Sequence, residues 1–335
     1  MNPAPEQILT VNEPALGLEA WVVLDSTRLG PAAGGVRTQA YPSPEAALAD
    51  ALALARAMTL KCALAGLDAG GGKAVVRLTP ELQREAAFEH LGEVVAGLQG
   101  RYHCAGDLGT TAADLAAMAR RAPWVHQDTV TLGAAAGRGV VAAMGACARH
   151  AGRAGLAGLQ ITIQGCGDMG QAVAQAATAA GARVSLCDLD RARAEALAAQ
   201  LRGQGAQAQV IPAEDAFTAP ADLFAPCAGG GVLGPDEAQA LSAWGVCGAA
   251  NNPLRGPEVE AALLARGVRY VPDFLASAGA VIEGVGRAVM GLHDTGPLLD
   301  RVGDTALTVL RAAEAQGALP SAVAQALAMG RVEAA

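Results

Sequence analysis

The stretch from Leu159 to Asp188 constrains the fold more tightly than any other part of the chain. A strand candidate, Leu159–Gln164, runs directly into Gly165-Cys166-Gly167-Asp168-Met169-Gly170, and an alanine-rich helix follows to about Ala180. The next strand candidate, Arg183–Cys187, ends at Asp188, eighteen residues beyond Gly170. A G-x-G-x-x-G sequence alone is a weak signal, but after a strand and before a helix each part has a physical task. Gly165 permits the tight turn, Gly167 lets backbone approach a pyrophosphate, and Gly170 allows the helix to pack closely on the strand. Asp168 and Met169 complete the fingerprint at the helix N-terminus, where unpaired N–H groups meet phosphate oxygens. Asp188 is placed to accept hydrogen bonds from both ribose hydroxyls, and its charge would repel a 2′-phosphate. The pattern predicts an NAD site rather than an NADP site. The competing reading is a glycine-rich turn with no ligand.

Further strand candidates at residues 209–211, 222–225, 245–248 and 268–271 bring the count to six, that of a Rossmann domain. The earlier part of the chain also alternates. Leu18–Leu24 reads as a strand, and Leu29–Gly35 reads as turn chemistry. Ser43 and Pro44 form a helix N-cap with proline at the first helical position, opening a helix over Glu45–Met58. A short strand, Ala74–Leu78, is launched from Gly70-Gly71-Gly72-Lys73, and helices are expected at 80–98 and 111–121. The fold class is therefore α/β: an N-terminal α/β substrate domain plus a Rossmann dinucleotide-binding domain. The expected boundaries are residues 1–134, completed by C-terminal helices over 301–335, and residues 135–300.

A chain of 335 residues is too long for one ordinary core and fits two domains, or one large one. With 52% hydrophobic and 17% charged residues it is not a disordered protein, and no apolar run reaches the ~20 residues needed to span a bilayer. Met1–Pro14 has no basic n-region, so no signal peptide is expected. A net charge of -8 without a basic stripe argues against nucleic acid as a partner. Seven cysteines with no C-x-x-C pair argue against a disulfide framework or a metal cluster and favour a cytoplasmic setting.

Of 24 basic residues only Lys61 and Lys73 are lysines; the others are arginines. A sequence that writes arginine wherever a cation suffices marks its remaining lysines as places where arginine does not, unless both are chance survivors. Lysine is a compact charge whose proton is released on burial, whereas arginine stays protonated. Lys73 follows three glycines, read as a flexible turn, and precedes an apolar strand that would desolvate its amine. Lys61 follows a helix ending near Thr59, where its cation can meet an anionic substrate group. One fixed cation and one titratable amine suit acid–base chemistry. Asp107, in Gly106-Asp107-Leu108-Gly109-Thr110-Thr111, reads equally as a proton carrier and as an N-cap for the following helix.

These stretches together resemble the amino-acid dehydrogenases of the Glu/Leu/Phe/Val family, with the leucine and phenylalanine enzymes nearest. The resemblance rests on Leu29–Arg37, Met58–Ala63, Ala65–Lys73, Gly106–Thr111, the dinucleotide fingerprint, Ala225–Ala228, Ala250-Asn251-Asn252 and Tyr270–Phe274, in one consistent order over about residues 18–330. It implies that Lys61 holds the substrate α-carboxylate, that Lys73 works through a water on the imine carbon, and that Asp107 exchanges protons with the amino group. It also implies that Gly34 and Gly35 lie against the substrate and that Cys227, Ala228 and Asn251 line the cofactor cleft. Ser277 stands where the family carries an asparagine that meets substrate and nicotinamide, Ala136 where it carries a threonine, and Gly106 where it often carries a glutamate.

The reaction implied is NAD-dependent oxidative deamination of a small apolar L-amino acid to its 2-oxoacid and ammonium. No lysine remains to pair with a side-chain carboxylate. The alternative is a diverged NAD-binding member with altered substrate or lost catalysis, acting as a sensor or accessory subunit. The resemblance also implies a homo-oligomer built through the first domain.

Overall fold

Two sheets, one mixed and one parallel, each with its own helices, organise the chain in a computed structural model that describes residues 4–127 and 132–335. The first unit takes the described residues of Met1–Thr129 together with Gly284–His293 and Ala328–Ala335. Its elements are β1 (Gln7–Glu13), β2 (Leu18–Ser26), β3 (Ala32–Gln39), α1 (Pro44–Ala65), β4 (Gly70–Arg77), α2 (Arg84–Gly97), β5 (Tyr102–Gly106) and α3 (Ala112–Ala119). The sheet order is β1-β2-β4-β3-β5. β2 runs antiparallel to β1 and β4, and β3 runs parallel to β4 and β5. Alternation along the strands sorts the core into two faces. Val22, Leu24, Ala74 and Val76 pack with Phe88, Leu91 and Tyr102 on one side. Trp21, Val23 and Val75 pack against Ala47, Ala51 and Ala55 of α1 on the other.

Helix α1 begins as its sequence dictates: Ser43 accepts a hydrogen bond from the Ala46 N–H at 3.2 Å, and Pro44 opens the first turn. It runs past Met58 to Ala65 because no breaker occurs before Gly66, which closes it at φ +76°. Lys61 is therefore inside the helix, not beyond its end. The three glycines are a second correction: Gly70, Gly71 and Gly72 are strand residues of β4, not a flexible turn. They are needed for close approach. A Cβ on Gly71 would lie 2.1 Å from the Thr59 backbone nitrogen, so the strand carries α1 at backbone contact. Residues 29–35 are only partly turn, since β3 begins at Ala32 and has β4 and β5 as neighbours.

The second unit takes the described residues of Val130–Glu283 and Asp294–Leu327. It opens with α4 (Leu132–His150), which carries Ala136 within its first turns. There follow β6 (Gln160–Gln164), α5 (Asp168–Ala179), β7 (Arg183–Cys187), α6 (Arg191–Gly203), β8 (Ala208–Val210), β9 (Leu223–Pro226), α7 (Pro235–Ala240), β10 (Gly245–Val246), α8 (Pro257–Ala265), β11 (Arg269–Tyr270), α9 (Asp273–Ala276), α10 (Gly279–Ala288), α11 (Gly296–Gln316) and α12 (Pro320–Glu333), of which α10 and α12 begin in this unit and end in the first. The six strands are parallel in the order β11-β10-β9-β6-β7-β8, the doubly wound order with its switch point between β6 and β9.

The C-terminal helices, expected to complete the first domain over 301–335, divide between the units. Helix α11 stays with the second unit and packs along α4, where Arg138 meets Asp300 at 2.7 Å. Only 328–335 joins the first, where Arg331 donates to the Ala63 carbonyl at 2.9 Å and so caps the end of α1. All seven cysteines are buried and unbridged. Among the described residues no helix is long and apolar enough to cross a membrane.

Candidate active site

Strand β4 carries Lys73 at its centre with a side chain only 7% exposed, and its Nζ lies 2.7 Å from Asp107 Oδ2. Asp107 is the first residue beyond β5. Its loop is fastened to β3 by three hydrogen bonds. The Thr38 N–H donates to the Leu108 carbonyl at 2.8 Å, the Thr110 hydroxyl donates to the Val36 carbonyl at 2.7 Å, and the Thr38 and Thr110 hydroxyls meet at 2.7 Å. The helix after this loop is capped by Thr111, which receives the Asp114 N–H while Asp114 returns the bond. Asp107 is thus not the N-cap; its carboxylate is directed to Lys73.

Gly35 of β3 completes the cluster. A Cβ there would stand 2.8 Å from Asp107 Cβ and 3.2 Å from Lys73 Nζ, so any side chain would occupy the space in front of both. Gly34 has another role: its Cβ would fall 1.8 Å from the Gly72 carbonyl oxygen, so glycine is required there by strand packing. The β3–β4 pairing breaks at these two residues, with Ala33 opposite Gly71 and Val36 opposite Ala74. Lys61 sits near the C-terminal end of α1, half-buried.

A third charged side chain enters here that the sequence reading quoted only as part of a motif. Arg37 Nε donates to the same Asp107 Oδ2 at 3.0 Å, and its Nη1 reaches Asp50 Oδ2 at 3.2 Å. The Tyr41 hydroxyl donates to that Asp50 oxygen at 2.6 Å. The signal that would have found Arg37 is its place two residues after Gly35 on a strand, which puts both on one face. Burial holds the Lys73 ammonium below the ordinary lysine range; Asp107 opposes that shift and Arg37 adds to it. Burial alone would raise the Asp107 carboxyl, but Lys73, Arg37 and the Leu108 N–H together bring it below the usual carboxylate range. A depressed amine beside a stabilised carboxylate, in contact, is a pair able to pass a proton.

The second unit presents the dinucleotide fingerprint as a built cradle. Gly165 adopts φ +93°, and a Cβ on it would lie 2.7 Å from the Ala228 backbone nitrogen. A Cβ on Gly170 would lie 1.8 Å from the Gly165 carbonyl oxygen. Gly167, by contrast, has nothing within 4 Å of that position, and as N-cap of α5 it supplies no side-chain cap. The space beside Gly167, where α5 opens at Asp168 and Met169, is therefore clear, as the approach of a pyrophosphate to a helix N-terminus requires. Asp188 is the first residue beyond β7 and accepts the Cys166 N–H at 2.7 Å and the Asp190 N–H at 2.9 Å, which ties it to the glycine turn. These residues fit a dinucleotide.

The remaining expected residues also belong to the second unit. The Cys227 N–H donates to the Gln164 carbonyl at 2.8 Å, placing Cys227 and Ala228 beside the turn. The Cys227 thiol is pushed up to about 12 by burial, so it is an apolar wall and not a nucleophile. Asn251 follows β10 and is exposed. The Ser277 hydroxyl donates to the Asp273 carbonyl at 2.7 Å, closing α9. The structure thus brings Lys73, Asp107 and Gly35 together in the first unit and the fingerprint residues together in the second.

Residues 5–123 match the family model described as Glu/Leu/Phe/Val dehydrogenase, dimerisation domain, and residues 185–285 match that described as Glutamate/Leucine/Phenylalanine/Valine dehydrogenase. The chain is 36% identical to valine dehydrogenase of Streptomyces virginiae over 98% of its own length and 93% of that protein's. It is 35% identical to leucine dehydrogenase of Geobacillus stearothermophilus over 83% and 77% of the two chains. The crystal structure of L-tryptophan dehydrogenase from Nostoc punctiforme superposes with a TM-score of 0.87 at 28% identity, covering 98% and 96%.

Proposed function

Because this chain belongs to the Glu/Leu/Phe/Val dehydrogenase family, we propose that it oxidises an apolar L-amino acid to the 2-oxoacid and ammonium, with Lys73 and Asp107 as the catalytic pair. The observation that carries this reading is the 2.7 Å contact between a buried lysine amine and Asp107, in a chain that keeps only two lysines. NAD, when bound, supplies the hydride acceptor. Gly165, Gly167, Asp168, Met169, Gly170 and Asp188 would hold its pyrophosphate and ribose, with Cys227, Ala228, Asn251 and Ser277 toward the nicotinamide.

The other tasks fall to the first unit. Lys61 pairs with the substrate α-carboxylate, and Gly35 leaves room for the α-carbon before Lys73. Asp107 takes a proton from the substrate ammonium. Once the imine is formed, the Lys73 amine accepts a proton from the water that attacks the imine carbon. Asp107 then returns its proton to the nitrogen of the carbinolamine, and the C–N bond breaks. The hydroxyl proton is released as the 2-oxoacid carbonyl forms, and the ammonia takes up a proton from water. In sum, amino acid, NAD and water give 2-oxoacid, ammonium, NADH and one proton. With valine, leucine and phenylalanine named as substrates of the relatives and no lysine left for a second carboxylate, the side chain is apolar. The match of residues 5–123 to a dimerisation domain supports a homo-oligomer, and seven unbridged cysteines support a cytoplasmic enzyme.

The test is a screen at 340 nm: the L-amino acids with NAD, then their 2-oxoacids with NADH and ammonium. Turnover with valine, leucine or a close analogue, and none with glutamate, is expected. Silence in both directions with NAD binding retained would instead favour a member that has lost catalysis.

A further inference from the structure

Asp107 is held by two cations, not one. Lys73 reaches Oδ2 from β4 at 2.7 Å, and Arg37 reaches the same oxygen from β3 at 3.0 Å. Arg37 is itself fixed from behind: Asp50 of α1 takes its Nη1 at 3.2 Å, and Tyr41 steadies Asp50 through a 2.6 Å hydrogen bond. The side chains of Arg37 and Asp50 are 17% and 29% exposed, so this is not a loose surface pair. The result is an ordered row, Tyr41–Asp50–Arg37–Asp107–Lys73, whose four charges sum to zero.

We propose that Arg37, clamped by Asp50 and Tyr41, is a positioning residue that presents Asp107 to Lys73 in one orientation and sets the electrostatic balance of the catalytic pair. The inference rests on the reading of Lys73 and Asp107 as that pair. A carboxylate bound by Lys73 alone can rotate and follow the amine. One whose Oδ2 is also held by a guanidinium, itself anchored to a helix, keeps its position as Lys73 gains and loses a proton.

Arg37 and Asp50 act on Lys73 with opposite sign. The guanidinium is a like charge near the ammonium and favours its deprotonation; Asp50 offsets part of that charge. Tyr102 of β5 also faces Asp107, but burial holds its hydroxyl well above its ordinary range, so it stays neutral. Removing Arg37 should therefore make Lys73 harder to deprotonate, and removing the charge of Asp50 should make it easier.

The small lysine count makes this measurable without turnover. Protein carrying 13C,15N-lysine has two side-chain signals, assigned with Lys61→Arg, and the Cε shift reports the Lys73 titration directly. Arg37→Gln should raise its midpoint by about one pH unit, and Asp50→Asn should lower it by about half a unit. In kinetics the acid limb of the kcat/KM profile, set by unprotonated Lys73, should move the same way: alkaline for Arg37→Gln, acid for Asp50→Asn. Arg37→Lys keeps the charge and should restore the limb, yet kcat should stay depressed because the two-sided clamp is lost. Circular dichroism checks that each variant is folded.

Opposite displacements establish the proposal, since a merely structural role lowers activity without moving titrations in opposite senses. An unmoved Lys73 midpoint in both variants, or movement in one direction in both, overturns it. If wild-type protein turns over no amino acid, the functional reading fails, while the NMR titration still decides whether Arg37 and Asp50 govern Lys73.

Discussion

Lys73→Arg is expected to lower kcat by about 10²–10⁴-fold, with the fold and NAD affinity preserved. Every other basic position except Lys61 is already arginine, so a site asking only for positive charge would accept one here as well. What arginine cannot do is release its proton near neutral pH. Burial depresses the Lys73 ammonium, and the neutral amine so made available is the group proposed to take a proton from water. The dinucleotide cradle lies in the other unit, so the NAD dissociation constant, followed by fluorescence titration, should stay within about twofold. A denaturation midpoint near wild type would show that the larger guanidinium is accommodated. Near-normal turnover would return Lys73 to the status of an ordinary cation.

Asp107→Asn should be about as damaging and differ in character. The amide is nearly the same size but cannot accept the substrate's proton, and it leaves Lys73 and Arg37 facing each other with no anion between them. Arg37 keeps Asp50 as its partner, but Lys73 loses its only contacting anion and is pushed further toward its neutral form, so the acid limb of the profile should move to lower pH while kcat falls about 10²–10⁴-fold. The substrate KM should change by no more than about threefold, because Lys61 and not Asp107 is the proposed partner of the α-carboxylate. Loss confined to KM would contradict the proton-carrying role.

The second unit was the more legible half of this chain. Its fingerprint depends on local chemistry, a turn only glycine can make and a helix start with no side-chain cap, and such signals survive in a single sequence. The first unit was harder because its glycines serve tertiary packing. Leu29–Gly35 looks like a turn, and Gly70–Gly72 like a hinge. In the fold both stretches feed central strands whose backbones are pressed against α1, the Tyr102 ring and one another. Propensity cannot anticipate that demand. Reading β3 as a turn also concealed Arg37, since a side chain two residues beyond Gly35 matters only once a strand aligns them. Lys73 was visible for a compositional reason, two lysines among 24 basic residues, and Asp107 only through its motif context. Their contact, thirty-four positions apart in sequence, required the sheet that sets β3 between β4 and β5.

The most direct test is the stoichiometry of one reaction mixture: purified protein, NAD and L-valine or L-leucine, with NADH, ammonium and 2-oxoacid measured together. Oxidative deamination through Lys73 and Asp107 predicts the three products in equal amounts, and none from the Lys73→Arg protein on the same timescale. NADH formed without ammonium, or bound NAD with no product from any apolar L-amino acid, would contradict it.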